Sequence, residues 1–324
     1  MLKMLSTVAR CTRRTHYPGS LNSWSLKRRR SSEANQVPRL QEVGVLEKPL
    51  QGQTYQTGQC VFNKALAYRG VVIMSWKANV VDSSHTSGIK STDYYQLLMD
   101  QRDVIHERLI EATPKEPWPR GRFLLAGIDH VCHDDLVPYT PSGGFLPIVN
   151  VNARRLFKRN ENDRARLVPK ATLADWRTQH IPWLNSGQVH IETTRDALRV
   201  TATCFYTGRH RLVHRWRCSL RIDNLSPSDS YVIQGHEWDV FSPSGRRHVV
   251  KGISLPGNRT VLSPSARTVQ HTFYLDITAP LALTWGFFIV SRYSHTEMFR
   301  CKIPAFPLES VLRTGVVDDL VKNT

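Results

Sequence analysis

The densest run of chemically capable side chains is His130, Cys132, His133, Asp134 and Asp135, where imidazole, thiol and carboxylate groups able to ligate a metal fall close together. In an extended chain, successive side chains alternate faces, so His130 and Cys132 point one way and His133 the other. The run therefore reads as a strand closed by a turn at His133 and the two acids, holding no metal. A second constellation is basic. Arg215, Arg217 and Arg221 share one face of a strand pattern, near Arg209, His210, Arg211 and His214. Such a stripe is expected to be solvated or to face a partner, with contact to a nucleic-acid backbone as the alternative. A third is the loop carrying Gly252, Ser254 and Gly257, whose bare backbone amides could bind an anion. Walker, Rossmann, nucleophile-elbow, zincin and paired-cysteine patterns are absent, and no nucleophile–base pair stands out. The expectation is a protein without catalytic residues, metal or cofactor.

The elements that would position these groups are mainly β. Cys60 to Phe62, Gly70 to Trp76, Tyr94 to Met99 and Phe123 to Ile128 are short β-branched and aromatic runs that suit a small barrel over residues 51–148. Lys77 to Asp93 and Thr113 to Gly121, rich in turn formers, read as long exposed loops on it. Residues 149–187 shift to helical spacings, with Leu156, Phe157, Leu173, Trp176 and Trp183 between charges, and form a short helical connector whose tryptophans staple onto a neighbouring domain. Residues 188–313 alternate strictly. Trp216, Cys218, Leu220 and Ile222 share one face, as do Leu198, Val200, Ala202 and Cys204, and Val269, His271, Phe273, Leu275 and Ile277. Turn signals between such runs predict an antiparallel β-sandwich of immunoglobulin/fibronectin-like type. Residues 314–324 are a tail.

Composition narrows the classes. A chain of 324 residues with 40% hydrophobic residues can bury two cores. Its longest apolar runs, such as Trp285 to Val290, are strand-sized, so no membrane span is expected. The six cysteines lack a Cys-x-x-Cys pair, and Cys204 and Cys218 read as two buried thiols facing across neighbouring strands rather than a disulfide. The net charge is +17, but residues 1–40 hold nine basic side chains and the single acid Glu33, leaving +9 for the rest. Residues 1–50 read as a targeting leader and linker. Leu2, Leu5, Val8 and Ala9 lie on one helical face beside Lys3 and Arg10, which is the make-up of a mitochondrial presequence. Lys27 to Arg30 alternatively reads as a nuclear localisation cluster.

Tyr68, Arg69, Gly70, Val71 and Val72, preceded by Gly58 and Gln59 and followed by Tyr94, Tyr95 and Gln96, resemble the YccV module, also called the hemimethylated-DNA-binding or HspQ-like domain. Trp216 with Ile222, Asp223 and Asn224, then His236 and Trp238, Gly245, and Ile303, Pro304, Phe306, Leu308, Glu309 and Ser310 resemble an ApaG domain. The order of leader, YccV-like module, connector and ApaG-like domain is similar to the polymerase delta-interacting protein family. That resemblance implies a non-enzymatic adaptor of mitochondria and nucleus. Its implied partners are DNA polymerase or clamp components and the mitochondrial Clp protease, with DNA as a weaker partner and the chain a monomer. Three departures bear on this. Asn63 stands where family members place a His, Ser254 where the ApaG phosphate loop has its middle glycine, and Gly235 with Glu237 around His236 where an Arg precedes the His-Trp element. The first puts DNA contact in doubt, and the second adds a side chain where backbone should approach a phosphate.

Three functions stay open: a protein adaptor, contacting partners through Tyr68, Arg69, Gly70, Trp76 and the Arg215, Arg217, Arg221 face; a nucleic-acid binder using the same basic face; and a phosphometabolite-binding protein using the Gly252 loop.

Overall fold

Hydrophobic alternation turns most of the described residues into strands, and parallel strand pairings tie the two halves together. The computed structural model describes residues 44–84, 88–103, 109–111, 127–142, 147–180, 189–210, 212–243, 245, 247–252, 260–294 and 297–310. The first module comprises β1 (Gly44–Leu46), β2 (Cys60–Asn63), β3 (Tyr68–Asp82), β4 (Ile89–Met99), β5 (Leu109–Glu111), β6 (Ile128–Cys132) and β7 (Leu136–Pro141). The connector holds α1 (Ala153–Leu156), the two-residue strands β8 (Phe157–Lys158) and β9 (Val168–Pro169), and α2 (Ala171–His180). The second module comprises β10 (Val189–Thr193), β11 (Leu198–His210), β12 (Val213–Asn224), β13 (Tyr231–Phe241), β14 (Arg247–Gly252), β15 (Thr260–Leu262), β16 (Thr268–Ile277), β17 (Leu281–Arg292) and β18 (Met298–Glu309).

The mainly-β expectation holds, but the first module is not a closed barrel. Its described strands stay open because β3 is shared. The first residues of β3 pair antiparallel with β2, whereas Val80 to Asp82 pair parallel with Val189 to Ile191 of β10. An 11-stranded sheet in the order β1-β7-β2-β3-β10-β11-β12-β16-β5 therefore runs through both modules, with β4 and β6 branching from β3. The segment Lys77–Asp93, expected as an exposed loop, is mostly a hairpin, with Lys77 opposite Asp93 and Val81 opposite Ile89. Its polar composition belongs to the wet face, while Ala78 and Val80 on the dry face pack with Tyr94 and Val189 at the junction. The polar stretch around residues 44–57, read as linker, likewise carries β1, and buries Tyr55, whose hydroxyl donates to the Leu136 carbonyl at 2.9 Å.

The first half of β3 is buried on both faces, which explains its unbroken run Val71 to Met74. Tyr68 and Val72 face a core with Tyr55, Val61, Tyr95 and Leu97, while Val71 and Ile73 face Leu156, Leu173 and Trp176 of the connector. Trp176 is thus a staple onto the first module; Trp183 lies outside the described residues. The second module is the predicted sandwich: β10, β11, β12 and β16 face the five-stranded sheet of β14, β13, β17 and β18 with β15 beside β13. Between them lie Leu198, Val200, Cys204, Trp216, Cys218, Ile222, Phe288 and Val290. Cys204 and Cys218 sit opposite each other in the ladder as free thiols. Residues Glu42–Thr324 make one compact unit.

Candidate functional site

The basic face of β12 is not solvated. Arg215 and Arg217 are buried and Arg221 nearly so, and each guanidinium is held by an acceptor that the fold brings opposite. Arg215 makes a two-pronged pair with Asp276, its ladder neighbour on β16, with both donor–acceptor distances 2.6 Å. Arg221 donates to Asp135 of the first module and, at 2.9 Å, to Asp223. Asp223 also accepts from Thr268 at 2.7 Å and pairs with Arg199 at 3.1 Å. Arg217 reaches into the first module, donating to the Ile128 carbonyl at 2.7 Å and to His130 Nδ1 at 3.1 Å. The expectation of a solvated stripe failed because β16 and β12 supply Asp276 and Asp223 while the first module supplies Asp135, the Ile128 carbonyl and His130, and strand alternation alone cannot reveal that.

Around these arginines the two modules share a polar seam. Asp129, 1% exposed, accepts from the Tyr68 hydroxyl on one side and from Gln270 Nε2 of β16 at 2.6 Å on the other. Burial first, then the Asp129 carboxylate beside it, pushes the Tyr68 phenol well above its usual range, so Tyr68 stays a donor. The His130 ring stacks on Phe205 at 4.0 Å and lies in an edge contact with Trp76. Burial, then Arg217, holds His130 neutral, well below the usual imidazole range. On its other side the ring's Nε2 lies 2.9 Å from the Gln96 side-chain nitrogen, while the Gln96 amide oxygen is buried without a partner among the described residues. The cluster from His130 to Asp135 is divided between this seam and a 3-10 turn at His133–Asp135 that ends β6. Among the described residues no group of three metal-capable side chains converges.

The other predicted positions fall in three places. Arg69 clamps Asp103 through Nε and Nη2, each at 2.6 Å, and lies against the Tyr139 ring. Burial pushes Asp103 up, but the hydrogen bonds and charge of Arg69 outweigh it and hold the carboxyl below its ordinary value. Gly70 runs close under β4, where a side-chain carbon would come 3.1 Å from the Leu98 carbonyl. Trp76 is half-buried at the junction, with ring centroids 5.7 Å from Tyr94 and Phe205. Arg69 and Gly70 are not gathered with the β12 arginines into one cleft, whereas Trp76 touches the His130 ring that Arg217 holds. Gly252 ends β14 opposite His236, while Ser254 and Gly257 lie outside the described residues.

His236 and Trp238 point into the sandwich. Trp238 stacks on His236 at 4.6 Å and on Phe273 at 4.5 Å, and His271 lies 6.3 Å from His236 across the two sheets. Trp238 fits because its ladder neighbour is Gly286, where any side-chain carbon would approach the Glu237 carbonyl to 2.3 Å. His236 Nδ1, Trp238 Nε1 and both ring nitrogens of His271 meet no hydrogen-bond partner. Burial lowers both imidazoles, His271 to about 4 with a smaller contribution from His236. Asp129, Gln270 and His271 were not singled out as site residues by sequence. Their available signal was polarity at an inward position, as with His271 between Val269 and Phe273.

No family model matches the chain. Polymerase delta-interacting protein 2 of Mus musculus is 31% identical over 298 residues, covering 84% of this chain and 80% of the relative. The Homo sapiens protein of the same name matches with the same identity and coverage. This chain belongs to the polymerase delta-interacting protein 2 family. Coverage of that extent takes in both modules and the connector, so the family likeness includes the region where β3 joins the two sheets.

Proposed function

We propose that this chain is a non-catalytic adaptor that binds protein partners in the mitochondrion and the nucleus. The observation that carries the reading is the family relationship over 84% of the chain to proteins named for an interaction with polymerase delta. The architecture supports it. The polar and charged side chains that could have formed an active site are engaged in holding the modules together, through the Tyr68–Asp129–Gln270 and Arg217–His130 contacts. A continuous sheet of this kind suits a rigid platform that presents surfaces to others. Nucleic-acid binding through the β12 arginines loses support, because their guanidinium groups are taken. DNA polymerase delta subunits, the sliding clamp and the mitochondrial Clp protease are the partners to test, with residues 1–50 directing import.

The deciding experiment is affinity capture with the tagged full-length chain from mitochondrial and nuclear extracts, with and without nuclease. Polymerase, clamp or protease subunits are expected to be retained after nuclease and in 0.5 M salt, a roughly chosen stringency above which phosphate contacts weaken steeply. Partners that vanish with nuclease, or turnover of a small substrate by the purified chain, would overturn the adaptor reading.

A further inference from the structure

Outside the leader, basic side chains concentrate along residues 209–221 and in the connector. Between Arg154 and Lys170 stand seven basic side chains and only Glu161 and Asp163 as acids, so this short segment supplies +5 of the +9 carried after residue 40. Three of these residues, Arg159, Arg164 and Arg166, line one shallow depression with Asn160 and Asp163, facing Pro141, Ser142 and Pro147 across it. All three are exposed, and among the described residues none pairs with a carboxylate or other acceptor.

The loop that carries them is firmly held. Phe157 and Lys158 pair with Pro169 and Val168, closing residues 159–167 into a hairpin. Its far limb docks on the first module: the Cys60 amide donates to the Ala165 carbonyl at 2.8 Å, the Leu167 amide to the Gly58 carbonyl at 2.7 Å, and Gln59 bridges to Arg166. Gly58, at φ +85°, permits this approach, since a side-chain carbon there would sit 2.0 Å from the Leu167 carbonyl. Within the loop, Asn160 accepts from the Asn162 amide at 3.1 Å and Asp163 from the Ala165 amide at 2.9 Å. Asp163 thus has a structural task that accounts for an acid among the arginines. Backbone order of this kind fixes where the three side chains leave the chain, so only their own rotamers remain to be ordered on binding.

We propose that this pocket binds a phosphate monoester, presented as a phosphorylated serine or threonine side chain of a partner protein. Three guanidinium groups less the Asp163 carboxylate leave a formal +2, which matches the charge of a monoester near −2. Guanidinium forks match the three terminal oxygens in geometry. The arginines sit around a shallow surface depression, so they would meet a phosphate at the surface while the bearing chain lies against Pro141 and Pro147. A nucleic-acid backbone, with one charge per phosphodiester, calls for a row of free cations, and the row on β12 is buried in pairs. The inference goes beyond the adaptor reading and stands or falls separately from the capture experiment.

The test is fluorescence anisotropy of the full-length chain with a labelled phosphoserine peptide library of randomised flanks. Its unphosphorylated counterpart, inorganic phosphate as competitor, and an oligonucleotide of equal net charge complete the set. The phosphorylated library is expected to bind at least tenfold more tightly than the unphosphorylated one, and inorganic phosphate to displace it at millimolar concentration. Arg164→Glu with Arg166→Glu is expected to lower affinity at least tenfold without moving the melting temperature. Equal binding of both libraries, no binding of either, preference for the oligonucleotide, or an unaltered double variant would overturn the proposal. Inorganic phosphate binding as tightly as the library would overturn the assignment to a protein-borne group.

Discussion

Arg221 on β12 and Arg164 in the connector hairpin carry the same group, yet the first lies between Asp135 and Asp223 and the second has no acceptor among the described residues. The difference generalises to both sets of arginines. On β12 the acids come from a ladder neighbour, Asp276, from two positions along the strand, Asp223, and from the other module, Asp135. On the hairpin the nearest acid, Asp163, is turned to the loop's own backbone. A basic stripe therefore marks availability only when the opposing surface has been identified. The comparison makes a graded claim: the cost of deleting an arginine follows the burial of the charge it leaves behind. The largest effect belongs to Arg221→Ala. It leaves Asp223, 5% exposed at the side chain, to Arg199 at 3.1 Å and the Thr268 hydroxyl, and takes the guanidinium away from Asp135 as well. Breaking a buried pair from one side costs about 3–5 kcal/mol, and urea unfolding should show a loss in that range. A loss under about 1 kcal/mol would break the comparison.

The buried imidazoles extend the contrast to pH. His271, 6% exposed, has its pKa lowered to about 4, against 6.5 when unfolded. Above pH 6.5 both states are neutral and nothing is lost. As pH falls from 6.5 toward 4 the unfolded chain takes up a proton that the folded chain refuses, so stability declines through that window and levels off below it. At 1.36 kcal/mol for each pKa unit the decline is about 3 kcal/mol. His130 and His236, both lowered, add in the same direction. Urea midpoints between pH 7 and pH 4 measure it, and His271→Leu should flatten the profile. Arg164→Ala removes no imidazole and should leave the profile's shape unchanged.

The sandwich was legible because period-two patterning survives wherever one face is wet: Trp216, Cys218, Leu220 and Ile222 all lie in its core as read. Lys77–Asp93 was misread because the same alternation, thin in apolar residues, looks like loop composition until Val189 is brought beside Val80. The open first module was illegible for a related reason, since parallel pairing of β3 with β10 joins residues more than a hundred positions apart. At the candidate site, His236 and Trp238 were found by motif, while His271 and Asp129 needed the partner sheet to acquire meaning. The hairpin pocket was hidden by its ordinary charge run, and only the close approach at Gly58 turns that run into a concave surface.

A smaller effect separates Asp276 of β16 from Asp223 as partners of the β12 arginines. Arg215 is buried, but Asp276, which it would leave behind, is 39% exposed at the side chain and can return to water. Arg215→Met keeps the buried stem filled and should cost about 1 kcal/mol by urea unfolding, in line with an exposed rather than a buried pair. A cost equal to that of Arg221→Ala would show that the arginine's own burial, and not the stranded carboxylate, sets the scale.

The smallest effect closes the series at the hairpin. Arg159→Ala, Arg164→Ala and Arg166→Ala strand no carboxylate, so each should change stability by no more than about 0.5 kcal/mol, as exposed substitutions do. Their sign is informative. Three unpaired like charges around one pocket repel each other, so each deletion should stabilise slightly at 10 mM salt, where the screening length is about 30 Å, and the gain should fade by 1 M, where it is about 3 Å. Paired thermal melts at the two salt concentrations read this difference directly. A destabilisation independent of salt would mean that these guanidinium groups serve packing, and the distinction between the two sets of arginines would then lose its physical basis.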